Sequence, residues 1–176
     1  MNTPNKLTML RIIMIPIFMV AYMYLKANAF TNFLSALIFA LAFLTDLLDG
    51  YLARKNNQVS DFGKIMDPLA DKVLVAAAMI LLTQSGVVSA WVTILVLARE
   101  FIVSGVRMAA AAEGNVVAAS IWGKAKTMWQ FIAITLALLI NRSNIFIDIS
   151  MWINLILTVL SGADYIMKNK KYLSLK

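Results

Sequence analysis

The chain contains no cysteine and no histidine. The first absence excludes disulfides, thiol nucleophiles and thiolate metal centres, and the second removes imidazole as base or ligand. Ser-His-Asp and Cys-His catalysis and the usual zinc sites are therefore ruled out. Acids are also scarce, 9 Asp and Glu against 16 Lys and Arg in 176 residues, and there are only 3 prolines. Polar chemistry must rest on Asp, Glu, Lys, Arg, hydroxyls and amides. A metal held by such donors would be a hard cation, Mg2+ or Mn2+.

Apolar side chains, by contrast, are abundant: 61% of the residues are hydrophobic and the mean hydropathy is +0.80. Soluble domains are roughly 45–50% apolar, and a chain this short has no water-exposed core that needs the excess. A membrane-crossing helix takes about 20 apolar residues. Six stretches of about that length are present, at 8–25, 31–53, 67–84, 87–111, 124–141 and 146–167. The connections are short, with no internal repeat. Lipid leaves no water for unpaired backbone groups, so these segments must be helices. The expected fold is an all-α integral membrane protein, a bundle of six transmembrane helices forming one domain over residues 1–176.

The net charge of +7 reads as topology and attraction to anionic headgroups. No nucleic-acid motif accompanies it. Lys6 and Arg11 lie near the start, Arg54, Lys55 and Lys64 between the second and third stretches, and Arg107, Lys124 and Lys126 around the fourth connection. Lys168, Lys170, Lys171 and Lys176 close the chain, while the opposite ends hold little beyond Lys26 and Arg142. Both termini and the two basic loops are expected in the cytoplasm. Ala27-Asn28-Ala29 has the form of a signal-peptide cleavage site. Arg11 inside the first stretch and Lys26 beside the site argue for retention.

The chemistry concentrates in DLLDGYLARKNNQVSDFGKIMDPLADK, from Asp46 to Lys72. Asp46 and Asp49 are three apart and share a helix face, and Asp67 and Asp71, four apart, share another. Asn56, Asn57 and Gly63 between them allow a turn, so that four carboxylates converge at the cytoplasmic end. An Asp within a span costs roughly 2.5–3.5 kcal/mol, and neighbouring carboxylates repel. A divalent cation relieves both problems, and two cations suit phosphoryl chemistry. Gly50 and Ala53 leave room beside the acids, Arg54 offers a planar fork to a phosphate, and Gly63 opens space where the third stretch begins. Blander readings exist for each residue. Asp46 and Asp49 could end a helix, Asp67-Pro68 could cap one, and Gly50 and Ala53 could serve packing.

The segment matches without a gap the pattern D-x2-D-G-x2-A-R-x8-G-x3-D-x3-D, carried by Asp46, Asp49, Gly50, Ala53, Arg54, Gly63, Asp67 and Asp71. In this it resembles the CDP-alcohol phosphatidyltransferase family. The resemblance implies a CDP-linked lipid donor, a site for two divalent ions, and a homodimer of six-helix protomers. It assigns the metals to Asp46, Asp49, Asp67 and Asp71, with Asp71 also the general base. The CDP site would be lined by Asp46, Gly50, Ala53, Arg54 and Gly63. The active site would face the cytoplasm from the cell membrane, the inner membrane of a bacterium.

Three further segments, PNKLTMLR (Pro4 to Arg11), LAREFIVSGVR (Leu97 to Arg107) and AASIWGKAKT (Ala118 to Thr127), are similar to the bacterial phosphatidylglycerophosphate synthase branch. That branch implies CDP-diacylglycerol as donor and sn-glycerol 3-phosphate as acceptor. Charge supports the reading independently: Arg107, Lys124 and Lys126 could hold the acceptor's phosphate. Arg99 and Glu100 interrupt an apolar stretch, where charge marks function or a partner. Arg99 could join the phosphate site or pair with a neighbouring acid. Asn5 and Thr8 could approach the nucleotide, but are better read as caps of the first helix. Trp91, Trp152 and Tyr165 read as membrane-interface anchors. Rival readings are another acceptor (an inositol phosphate or phosphatidylglycerol), an aspartate-rich prenyltransferase, and a cation transporter. The last two do not account for Gly50, Ala53 and Arg54 beside the acids.

Overall fold

The computed structural model describes residues 3–25, 28–56, 61–112 and 121–168. Among them are six α-helices and no strand: α1 (Thr3–Tyr24), α2 (Ala29–Asn56), α3 (Asp61–Gln84), α4 (Ala90–Ala112), α5 (Ile121–Ile140) and α6 (Ile145–Lys168). Each apolar stretch becomes one helix, but α1 and α3 begin earlier than the hydropathy pattern indicates. With α3 starting at Asp61, Asp67 and Pro68 lie inside the helix, and Asp67 is not its cap. Likewise Asn5 and Thr8 lie within α1, beyond its N-cap. Pro4 fits this start, because a proline in the first helical turn removes an N–H that has no intrahelical partner.

The helix ends follow from local chemistry. Asn28 Oδ1 accepts the Thr31 N–H at 3.0 Å, and Thr31 Oγ1 accepts the Asn28 N–H at 3.0 Å, a reciprocal cap at the start of α2. Asn144 Oδ1 accepts the Ile147 N–H at 3.0 Å and opens α6. At the end of α3, Val87 N–H reaches the Leu82 carbonyl at 2.9 Å and Gly86 N–H the Thr83 carbonyl at 3.0 Å. This is the Schellman pattern, which places its pivot in the left-handed region. Gly86 adopts φ 72° there without a Cβ penalty. Asn141, at φ 44°, ends α5 in the same region.

Two of the described helices are long and apolar enough to cross a membrane, over Ala29–Asp46 and Ile145–Met167, and Thr8–Tyr24 is a shorter apolar helix. All six helices also carry large apolar side chains on exposed faces, among them Ile17, Phe33, Ile80, Phe101, Ile132 and Val159. An exposed apolar surface of this extent is unfavourable in water and natural in lipid. Trp91 and Trp152 are exposed, as interface anchors would be, but Tyr165 is buried. Its ring lies beneath Arg107, whose guanidinium carbon is 5.3 Å from the centroid. The cation draws the aromatic face into protein contact and away from a lipid-anchoring role.

The chain forms two compact units, Met1–Val87 with Ile134–Arg142, and Val88–Ala133 with Ser143–Lys176. In the first, α1 packs on α2 and α3, and α2 and α3 also touch. Phe18 and Phe39, both fully buried, meet at a ring distance of 6.0 Å. A polar cluster ties the helix ends together. Tyr22 donates to Asn141 Oδ1 at 2.8 Å and shares a 2.6 Å hydrogen bond with Ser85, and Asn141 Nδ2 donates to Asn32 Oδ1 at 3.1 Å. In the second unit α4 packs on α6. Trp129 Nε1 donates to the Ser150 carbonyl at 3.1 Å, joining α5 to α6.

Candidate active site

Asp46 lies on α2 where the helix packs against α1, and its Oδ1 is 2.9 Å from Arg11 Nη1. The Arg11 side chain is entirely buried, whereas that of Asp46 is 30% exposed. The carboxylate is thus held from the protein side and remains reachable from outside. Asp71 on α3 is held differently. Its Oδ2 accepts from Lys72 Nζ at 2.7 Å, both side chains being about a quarter exposed (25% and 22%). Successive residues point roughly 100° apart around a helix, so the Lys72 stem must bend back to reach its neighbour. This is a surface-type ion pair and contributes little to stability. It nonetheless keeps one Asp71 oxygen in a defined position.

The connection from α2 to α3 spans only residues 57–60, and the two helices contact each other. Asp49 is seven residues before the end of α2, and Asp67 is six after the start of α3. At about 1.5 Å per residue these are nearly equal distances from the turn, as convergence of the two acid pairs requires. The side chains of Asn5, Asp49, Gly50, Ala53, Arg54, Gly63 and Asp67 lie outside the described residues. Among the described residues no group of three or more acids gathers to hold a metal. The described acids do fit a hard divalent cation in kind, since Asp46 and Asp71 are partly exposed oxygen donors without competing nitrogen or sulfur ligands.

The second unit contains a chain of charges. Lys126 of α5 is ion-paired to Glu100 Oε1 of α4, with side chains 3% and 5% exposed. Arg99 Nη1 lies 3.4 Å from the same oxygen, and its Nη2 donates to Ser161 Oγ of α6 at 2.8 Å. The Arg99 stem lies directly over Gly162. A Cβ at that glycine would meet Arg99 Cγ at 3.0 Å and Nε at 3.1 Å. Of the four basic residues expected to meet a phosphate, Arg107 and Lys124 are exposed, while Lys126 and Arg99 are engaged by protein. The pairing of Arg99 with an acid is therefore realised. Thr8 is fully buried in the first unit, one turn from Arg11.

Sequence reasoning did not find Arg11 as a partner of Asp46, or Ser161, Gly162 and Tyr165 as partners of basic residues. For the α6 residues a signal existed. Asn154, Thr158, Ser161 and Tyr165 recur at helical spacing on one buried stripe of an otherwise apolar helix.

Helices with apolar outer faces and buried ion pairs define a helical membrane protein, and Asp46 and Asp71 are partly exposed acids within it. The chain belongs to the CDP-alcohol phosphatidyltransferase family and is a transferase, the family's sequence model matching residues 1–160 and so reaching into both compact units. It is similar to the CDP-diacylglycerol–glycerol-3-phosphate 3-phosphatidyltransferase of Bacillus subtilis (strain 168), with 42% identity covering 96% of this chain and 95% of the relative. The enzymes of that name from Rickettsia felis and Haemophilus influenzae are each 40% identical, covering 97% and 96% of this chain and 97% and 94% of their own lengths.

Proposed function

We propose that this chain transfers the phosphatidyl group of CDP-diacylglycerol to sn-glycerol 3-phosphate, giving phosphatidylglycerophosphate and CMP, a step of phospholipid biosynthesis. The observation that carries the reading is the gap-free acid pattern from Asp46 to Asp71 on two contacting helices, in a chain similar over nearly its whole length to enzymes of that name. Six helices cross the inner membrane of a bacterium with both termini in the cytoplasm, where the active site opens, and two protomers form a homodimer.

In this reading Asp46, Asp49, Asp67 and Asp71 hold two divalent ions, Mg2+ or Mn2+, which when bound neutralise charge on the pyrophosphate. Gly50, Ala53, Arg54 and Gly63 line the CDP site. Asp71 takes the proton of the acceptor hydroxyl as its oxygen attacks the phosphorus next to diacylglycerol. The bond from that phosphorus to the oxygen of CMP breaks, CMP leaves with the electron pair, and the proton passes from Asp71 to water. Of the basic residues, the exposed Arg107 and Lys124 answer the acceptor's own phosphate directly, and Lys126 and Arg99, both held by Glu100, contribute through that buried pair. Asn5 is left for the nucleotide side and Thr8 for packing within α1.

The test is CMP release by the purified protein in detergent with CDP-diacylglycerol and a panel of acceptors. Turnover with sn-glycerol 3-phosphate far above inositol phosphate and phosphatidylglycerol is expected. Preference for either of the others would replace the acceptor, and no CMP release with any would remove the enzymatic reading.

A further inference from the structure

We infer that Arg11 is a positioning residue: reaching from α1, it fixes the Asp46 carboxylate in the orientation that serves a divalent cation. The inference rests on the metal role of Asp46 proposed above and adds a residue of a different helix to it.

Basic residues at the cytoplasmic ends of membrane helices need no protein partner, because their topological effect works through solvated charge. Lys124 is exposed in that way. Arg11 is not. Its side chain is entirely buried in the contact between α1 and α2, and its Nη1 lies 2.9 Å from Asp46 Oδ1. A guanidinium in such surroundings must be paired, and one acid at ion-pair distance from it is the first of the motif. Thr8, one turn earlier on α1, is also fully buried.

The arrangement is asymmetric in a useful way. Arg11 grips one oxygen from the protein side, while Asp46 keeps 30% of its side chain exposed. A buried cation at ion-pair distance holds that oxygen from the protein side. Arginine differs from lysine here because its weakly hydrated guanidinium tolerates burial better than a compact, strongly hydrated ammonium. Partners that orient a metal ligand from outside the coordination shell typically matter 10–100-fold in affinity or activity.

Position and charge predict opposite signs for metal affinity. If Arg11 merely adds positive charge, removing it strengthens cation binding. If it positions Asp46, removing it weakens binding. The experiment is Mn2+ titration of the purified full chain, read by the electron paramagnetic resonance of free Mn2+, with circular dichroism and melting as folding controls. For Arg11→Met, Mn2+ affinity is expected to fall about 10-fold or more, kcat to fall with it, and KM for sn-glycerol 3-phosphate to stay near the parent value. Arg11→Lys is expected to fall between the two. A folded Arg11→Met with parental or tighter Mn2+ binding overturns the inference. Should Arg11→Met not fold, Arg11→Lys decides: weakened Mn2+ binding supports positioning, and parental binding overturns it. Asp46→Asn separates the two layers of the argument. If the parent binds no Mn2+, the metal reading fails and this inference with it. If the parent binds Mn2+ and Asp46→Asn abolishes binding while the Arg11 variants do not weaken it, the inference alone fails.

Discussion

Glu100 of α4 and Lys126 of α5 form an ion pair almost wholly removed from solvent, with side chains 5% and 3% exposed. Arg99 approaches the same Glu100 oxygen at 3.4 Å, so a single acid answers two cations. Truncating it takes the Glu100 carboxylate from a buried ammonium, and breaking a buried pair in soluble proteins costs about 3–5 kcal/mol. Glu100→Ala is expected to lower stability by that order, and Glu100→Gln by less, since an acceptor oxygen remains. Unfolding of the two variants in a denaturing-detergent titration measures this. A change below about 0.5 kcal/mol, the level of ordinary surface substitutions, would mean that Lys126 finds another partner.

Gly162 is the seat of Arg99. The neighbouring atoms are Cγ and Nε, in the middle of the side chain, and the guanidinium beyond them is tied to Ser161 at 2.8 Å. Arg99 cannot yield to a methyl group without loosening that bond. Gly162→Ala should therefore destabilise by about 1–3 kcal/mol, the usual range for overpacking. Gly105 on α4 provides the comparison, since a Cβ there meets nothing within 4 Å. Gly105→Ala should be neutral or stabilising by up to about 1 kcal/mol. Equal melting shifts for the two variants would contradict the packing described here.

Asp71→Asn preserves shape while removing the proposed base and weakening a metal ligand. Turnover should fall roughly 10²-fold or more, with CDP-diacylglycerol binding less affected because Asp46 and Arg54 remain. Lys72→Met removes the 2.7 Å partner of Asp71 and should cost far less. Near-normal CMP release by Asp71→Asn would exclude it as the base.

Removal of divalent ions should abolish turnover, and Mg2+ or Mn2+ should restore it, because the proposed donors are oxygens. The absence of Cys and His makes Zn2+ a poor substitute. Full CMP release in exhaustively chelated buffer would defeat the two-ion proposal.

The basic residues should divide by exposure. Arg107→Gln and Lys124→Gln alter side chains open to solvent. Each is expected to raise acceptor KM about 10- to 100-fold, as loss of a charge-assisted hydrogen bond of about 1.5–3 kcal/mol implies. Lys126→Gln should lower stability as well, because it breaks the pair with Glu100. Lys170→Gln, in the basic tail, serves as control. If none of the three raises acceptor KM above the control, the phosphate assignment fails.

The sequence by itself determined the helical class and the six helices found among the described residues, and it singled out the acids proposed to react. Those properties are carried by local signals. Hydropathy sets where an apolar helix must form, and spacings of three and four residues put Asp46 with Asp49 and Asp67 with Asp71 on common faces. Helix starts were less legible. α1 and α3 extend past their apolar stretches into polar residues, where backbone hydrogen bonding, which hydropathy does not register, continues the helix. Partners across helices were the part that only the tertiary structure decided. Arg11 is 35 positions from Asp46, Glu100 is 26 from Lys126, and Arg99 is 62 from Ser161. No periodicity within one helix encodes such a pairing, because it depends on which faces pack together. Packing also turned Tyr165 from a candidate membrane anchor into a buried platform for Arg107, and Arg11 from a topology signal into the buried counter-ion of Asp46. Buried charge is stable only beside its opposite, and that requirement is met only after the helices have packed.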